Sequence, residues 1–177
     1  MTAAAQTLRG YDEEMRRIWE ERFTPFVFDL DVRGEVTPVA LCRFFGVAAG
    51  HHASELGVGD EVLRAQGLAW MLHRLEARFT RTASGERPLL VRTWPSDRTS
   101  RLRAERDFTI EDSSGRTVAE GLSTWLLIQL AARKPARMPK EVLEFAVKGK
   151  AAPFAPGADP AAGKPAGEPR WSAPVSW

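Results

Sequence analysis

The sequence predicts an α+β fold in which an antiparallel sheet wraps one long buried helix. Three observations carry this. From Pro38 to Leu56 the formal charges are Arg43 and Glu55 alone, fewer than a surface helix keeps on its solvent side. After Gly67, four stretches of β character follow one another, and consecutive strands with short connections pair antiparallel. The 177 residues, 44% hydrophobic and 27% charged, give an ordinary globular composition with room for one domain and a tail.

Taken in order, residues 1–24 are expected as an N-terminal helical segment. Tyr11, Met15, Ile18, Trp19 and Phe23 recur at helical spacing among Glu and Arg, and Thr24-Pro25 breaks the pattern. Phe26 to Val32 alternates, with Phe26, Phe28 and Leu30 against Val27, Asp29 and Asp31, which predicts a first strand. Gly34 turns the chain. Thr37 is placed to N-cap the helix and Pro38 to open it, where a missing N–H costs nothing. Leu41, Phe44, Phe45, Ala48 and His52 form one stripe of the helix. Gly46, Ala49, Gly50 and Ala53 form a second with almost no side chain. Gly57 ends the helix as C′. A Gly57-Val58-Gly59 turn and a loop or short helix lead to Gly67. Strands are predicted at Ala69 to Thr82, Leu89 to Trp94, Leu102 to Glu111 and Thr117 to Leu130, the last two joined by the hairpin turn Asp112-Ser113-Ser114-Gly115. Pro139 to Val147 can form a short helix. One helix wrapped by such a sheet is the hotdog fold, assigned to residues 25–148. From 149 to 177 Ala, Pro and Gly dominate and half of the 12 prolines fall there. That composition cannot offset its ordering entropy and predicts a linker or disordered tail, with Trp171 and Trp177 as its anchors.

No apolar run reaches the ~18 residues of a membrane span, and MTAAAQTLRGYDEE lacks the apolar stretch of a secretory leader. Cys42 is the single cysteine, so no intrachain disulfide forms and a cytoplasmic location is expected. A net charge of +2 gives no reason to expect nucleic-acid binding, while locally clustered arginines suit an acidic partner. No His/Cys/Asp spacing resembles a metal site and no Gly-rich phosphate loop is present, so no cofactor is expected.

Several segments occur in an order and spacing that resemble the acyl-acyl carrier protein thioesterases, specifically the first of the two hotdog repeats in the plant and bacterial enzymes. They are His52-Ala53 followed by Leu56-Gly57, Gly67-Leu68-Ala69-Trp70-Met71-Leu72-His73-Arg74, and Thr93-Trp94-Pro95. Then come Arg106-Asp107-Phe108, Ser123-Thr124-Trp125-Leu126-Leu127-Ile128, and Arg133-Lys134-Pro135-Ala136-Arg137-Met138-Pro139. The resemblance covers roughly residues 25–147. It implies a hotdog fold and an acyl thioester hydrolase acting on acyl carrier protein or CoA substrates. Family members carry a second repeat whose Asn, His and carboxylate or Cys supply the chemistry, and this sequence ends before such a repeat. A Gln-Glu pair usual in the first-repeat helix is replaced by Gly46-Val47.

Thioester hydrolysis needs an activated water or a carboxylate, and donors for the developing oxyanion. Asp31, three residues before Gly34, resembles the working carboxylate of single-repeat hotdog thioesterases; its side chain can equally cap the turn. Pro38 has no N–H, so Val39 and Ala40 are the candidate backbone donors at the helix start. His52 is a candidate catalytic assistant or a hydrogen-bonded core residue. His51 meets the sheet or a partner, Glu55 is a candidate base or a solvated charge, and Cys42 packs in the core. Phe44, Phe45 and Trp70 are candidates to hold the acyl chain. Arg98, Arg101, Arg103 and Arg106, with Arg133, Lys134, Arg137 and Lys140, form two basic clusters. Of these, Arg98, Arg101, Arg103, Arg133, Lys134 and Arg137 are expected to guide a carrier protein or an anionic phosphopantetheine. A lone repeat leaves an open sheet edge, so a homodimer is expected. The competing readings are a non-catalytic acyl-binding or assembly module, and a hotdog dehydratase or hydratase, whose helix carboxylate would fall where Gly46 and Val47 stand.

Overall fold

A computed structural model describes residues 17–157. β1 (Trp19–Phe23) leads through a 3-10 turn at Val27–Asp29 to α1 (Pro38–Glu55) and α2 (Asp60–Ala65). β2 (Leu68–Phe79), β3 (Leu89–Pro95), β4 (Ala104–Glu111), β5 (Thr117–Gln129), β6 (Lys134–Ala136) and α3 (Lys140–Glu144) follow. The strands make one antiparallel sheet in the order β1-β3-β4-β5-β2, with β6 paired to the end of β5. One helix against one antiparallel sheet is the α+β hotdog arrangement.

The local signals at both ends of α1 act as expected. Thr37 Oγ1 accepts the Ala40 N–H at 3.2 Å, and Pro38 opens the first turn. Gly57, at φ +73°, stops the helix in the left-handed conformation that costs glycine no steric clash. The aromatic stripe of α1 then packs on the inner face of the sheet. Phe44 stacks on Phe23 with centroids 4.9 Å apart, and Phe45 lies on Phe108 at 4.8 Å. With Val91, Ile110 and Val118 these helix residues are at most 2% exposed. Burial of each such side chain is worth about 1.5–3 kcal/mol, so this contact supplies most of the core.

Two predicted elements differ. Trp19 to Phe23 is a strand paired with β3, not the end of a helix. Trp19 and Phe23 are four residues apart, a spacing that places them on one face of a helix and equally of a strand. The alternating burial of Trp19, Glu21 and Phe23 records the strand period, and pairing with β3 decided it. The part of the expected helical segment before residue 17 lies outside the described residues. Phe26 to Val32 is not a regular strand either. The Asp29 carboxylate accepts the Phe26 N–H at 2.9 Å and curls Val27–Asp29 into the 3-10 turn, while Arg43 of α1 holds the same carboxylate. Leu30 keeps a single bridge to Val36.

The chain from 149 to 157 lies on the outer face of the sheet instead of beginning a free linker. Phe154 is buried beneath the Arg78 guanidinium, 4.2 Å from its ring centroid, and Lys150 Nζ stands 4.4 Å over Trp94. Gly157 donates its N–H to Glu76 Oε2 at 2.9 Å. One aromatic and two cation–π contacts stabilise what composition alone would leave unordered. Trp171 and Trp177 lie outside the described residues.

A β-carbon at Gly121 would stand 2.8 Å from Phe45 Cε2. Gly121→Val is therefore expected to destabilise the protein by about 1–3 kcal/mol through overpacking, read as a lowered midpoint in chemical denaturation.

Candidate functional site

The second stripe of α1 has little side chain with which to fill space, and a cavity of about 390 Å³ lies against it. Gly46, Ala49, Gly50 and Ala53 form one wall. The facing wall comes from the sheet, where Trp70 at the start of β2 and Trp125 near the end of β5 line the space. Trp70 donates its indole N–H to the Val58 carbonyl at 2.8 Å, and Trp125 donates to Ser123 Oγ at 2.8 Å, so each ring is fixed by its polar atom while its apolar body serves the cavity. Val142 and Phe145, in and just after α3, close one side.

Among the mainly apolar walls, which also include Ser54, Asp60, Thr99 and Glu105, stands one cation. Arg106 of β4 lines the cavity and reaches His52 Nδ1 at 2.9 Å and Thr93 Oγ1 at 3.2 Å, both through Nη1. A guanidinium has donors only, so Nδ1 of His52 accepts and the ring is neutral with its proton on Nε2. His52 is fully buried and stacks on Trp19 with centroids 5.8 Å apart. Burial pulls the Arg106 pKa down to about 10, opposed by the charge of Asp107, and the group stays charged at neutral pH. The Asp107 carboxylate is itself buried and ion-paired with Arg98. Burial pushes its pKa up, against the pull of Arg98.

The other expected site residues are scattered. Asp31 does not line the cavity. Its Oδ1 accepts the N–H groups of Arg33 at 2.8 Å and Glu35 at 3.0 Å, and Oδ2 pairs with Arg33 at 3.2 Å. The Glu35 and Arg33 N–H groups hold its carboxyl below the usual range. Val39 is exposed at the start of α1, and the Ala40 N–H is taken by the Thr37 cap. Gly46, the first cavity residue on α1, lies about 12 Å along the helix axis from Pro38. Glu55 is exposed at the end of α1, and His51 pairs with Glu21 at 2.9 Å on the surface. Cys42 is half-buried, and burial raises its thiol pKa.

Phe44 and Phe45 do not line the cavity. Their stripe faces the sheet, and the rings are spent in the core; of the three expected acyl-holding residues, Trp70 alone is in the cavity wall. The basic clusters are also rearranged. Arg98 is committed to Asp107, and Arg106 turns inward. Arg101 and Arg103 stay exposed, as do Arg133, Lys134 and Arg137. Met138 donates its N–H to the Arg101 carbonyl at 2.8 Å, which brings the two sequence-distant clusters side by side. Sequence reasoning missed Arg106 as a cavity residue because it read the arginines of this run together as one basic cluster. The alternation of β4, with Phe108 and Ile110 on the same face, was the available signal. Among the described residues no group of His, Cys, Asp or Glu is placed to hold a metal, and no helix is long and apolar enough to cross a membrane.

His52→Ala removes the acceptor for Arg106 and the stack on Trp19. A loss of about 2–4 kcal/mol is expected, measured as a fall in the melting temperature.

Comparison with known proteins bears on this geometry. A family model described as the acyl-ACP thioesterase N-terminal domain matches residues 16–146. The crystal structure of an acyl-ACP thioesterase from Bacteroides thetaiotaomicron superposes with a TM-score of 0.74 at 26% identity, covering 82% of this chain and 59% of that one. The 12:0-ACP thioesterase from Umbellularia californica superposes at 0.62 with 18% identity, over 71% of this chain and 50% of that one. A 1,4-dihydroxy-2-naphthoyl-CoA thioesterase from Synechocystis gives 0.64 at 20% identity, over 71% of this chain and 95% of that one. No curated protein matches significantly. The chain thus spans 59% of the Bacteroides enzyme and 95% of the Synechocystis thioesterase. Its match over residues 16–146 places this chain in the acyl-ACP thioesterase family, as the N-terminal hotdog domain.

Proposed function

We propose that this chain holds the acyl group of a thioester for hydrolysis, releasing a fatty or related acid from an acyl carrier protein or from CoA. The observation that carries the reading is the apolar cavity between the bare stripe of α1 and Trp70 and Trp125, in a chain of this family. Gly and Ala on the helix let a chain approach the backbone closely, and the two indoles supply apolar contact. Water attacks the thioester carbon, the C–S bond breaks, and the thiol leaves with a proton.

The groups proposed for the chemistry are Asp31 as base and the Val39 N–H as an oxyanion donor, because the start of a helix favours negative charge. They stand too far along α1 to meet the cavity of their own copy, which supports a homodimer in which the helix start of one unit serves the cavity of the other. Two surfaces support such pairing. Phe26, Val27, Phe28, Val32 and Val39 form an exposed apolar group beside Asp31, and the edge strand β2 exposes Met71, Leu72 and Phe79. The joined basic loops bearing Arg101, Arg103, Arg133, Lys134 and Arg137 suit an acidic carrier protein or an anionic phosphopantetheine. With one cysteine and no possible intrachain disulfide, the protein fits a reducing cytoplasm.

The second reading, an acyl-binding module without catalysis, is favoured by one observation: both oxygens of Asp31 are engaged in its own turn. Hydrolysis assays across acyl-CoA and acyl-carrier substrates separate the two. Asp31→Asn keeps an oxygen for the turn and removes the base, so turnover is expected to fall by about 10²–10⁴ with little change in melting. Hydrolysis unaffected by Asp31→Asn removes the catalytic assignment, and no hydrolysis of any substrate moves the function to the binding module. Light scattering after size exclusion is expected to give a dimer at micromolar concentration; a stable monomer contradicts the shared site.

A further inference from the structure

Arg106 is an expensive residue to place in an acyl cavity. Its guanidinium carries five N–H donors and no acceptor. Among the described residues its hydrogen bonds go to His52 Nδ1 and Thr93 Oγ1, both from Nη1. Both acceptors are neutral. The carboxylates nearest in the chain are engaged elsewhere, Asp107 with Arg98 and Glu105 with Thr124 Oγ1. The N–H groups on Nε and Nη2 therefore face a space walled mainly by glycine, alanine, indole and other apolar groups, with Ser54, Asp60, Thr99 and Glu105 also on its lining. A methionine or leucine would line the same space for an alkyl chain without leaving a half-buried charge short of partners.

From this geometry we infer that the cavity is built for an acyl chain that itself carries an oxygen (a hydroxyl, an oxo group or a carboxylate), which accepts hydrogen bonds from Arg106. The inference rests on the acyl-holding role proposed above and names the class of chain. An unsubstituted alkyl chain expels water from the guanidinium and offers nothing in return, so donors are buried unpaired. An oxygen on the chain takes those donors in a setting where a charged hydrogen bond is strong. His52 and Thr93 act as positioning residues, since they anchor one end of the guanidinium and leave the other toward the cavity. A site arranged to pair with a polar substituent rejects the analogue that lacks it more sharply than a greasy pocket separates chain lengths.

The test uses alkyl thioethers of CoA, which cannot be hydrolysed, so binding is read whether or not the protein is a catalyst. Trp70 and Trp125 in the wall provide a fluorescence signal. The full chain is titrated with S-dodecyl-CoA and with its β-hydroxy, β-oxo, ω-hydroxy and ω-carboxy counterparts. At least one oxygenated ligand is expected to bind about 10–100-fold more tightly than S-dodecyl-CoA. Arg106→Met is expected to collapse that ratio to near unity, and Arg106→Lys to restore part of it. If Arg106→Met fails to fold, Arg106→Lys and Arg106→Gln are compared, and the wild-type preference alone still decides. Equal binding of all the thioethers by the wild type overturns the inference. So does an equal loss for all of them in Arg106→Met, which would place Arg106 on the CoA portion they share. Hydrolysis of acyl-CoA without the preference removes this inference alone, and the preference without hydrolysis removes the catalytic reading alone.

Discussion

Phe45 of α1 rests where a side chain at Gly121 would otherwise stand, and Phe108 covers the rest of its ring. This contact sets how close the helix comes to the sheet. With the aromatic stripe drawn down onto β3, β4 and β5, the stripe of Gly46, Ala49, Gly50 and Ala53 is turned to one side, where nothing long enough projects to fill the gap. The cavity is thus a consequence of core packing: the residues that fix the helix and those that leave space alternate along the same four turns. Interiors are close-packed, so a void of this size beside so dense a core marks a place that the packing of the chain alone does not fill.

The polar pin between His52, Arg106 and Thr93 adds a second constraint at the far end of the helix. Hydrophobic contact is not directional, whereas a guanidinium held by two acceptors is. The pin ties α1 to β3 and β4 together and does so at the cavity wall. Its cost is a desolvated cation whose nearest carboxylate neighbour, Asp107, is neutralised by Arg98 on the other face of the sheet. The buried Asp107 and the half-buried Arg106 of β4 therefore serve opposite faces: one closes the outer surface, the other faces the cavity.

The two ends of α1 have different chemistry. The start carries Asp31, the capped turn and an exposed apolar surface; the later turns carry the cavity and its cation. In a single copy these stand apart along a rigid helix. The strap at residues 150–157 crosses the outer face and reaches Glu76 and Arg74 on β2, so the described chain leaves the sheet at its open edge.

Much of this was legible in the sequence because it depends on local chemistry. Thr37, Pro38 and Gly57 set the limits of α1 through their own hydrogen bonds and dihedral angles, and Asp112 to Gly115 did the same for the hairpin. The bare stripe was visible as four small residues at helical spacing, and the ordered motifs pointed to the family. Tertiary structure decided what spacing leaves degenerate. Trp19 and Phe23 fit either period until β3 offered a partner, and Phe26 to Leu30 alternated like a strand until Asp29 closed its own turn. It also decided direction. The aromatic and bare stripes both belong to α1, but only packing determines which is consumed by the core, so Phe44 and Phe45 went to the sheet and the cavity to the small residues. Arg98 and Arg106 look alike as letters. The period-two alternation of β4 sends Arg106 inward and Asp107 outward, where Arg98 meets it, because neighbouring residues on a strand face opposite sides of the sheet.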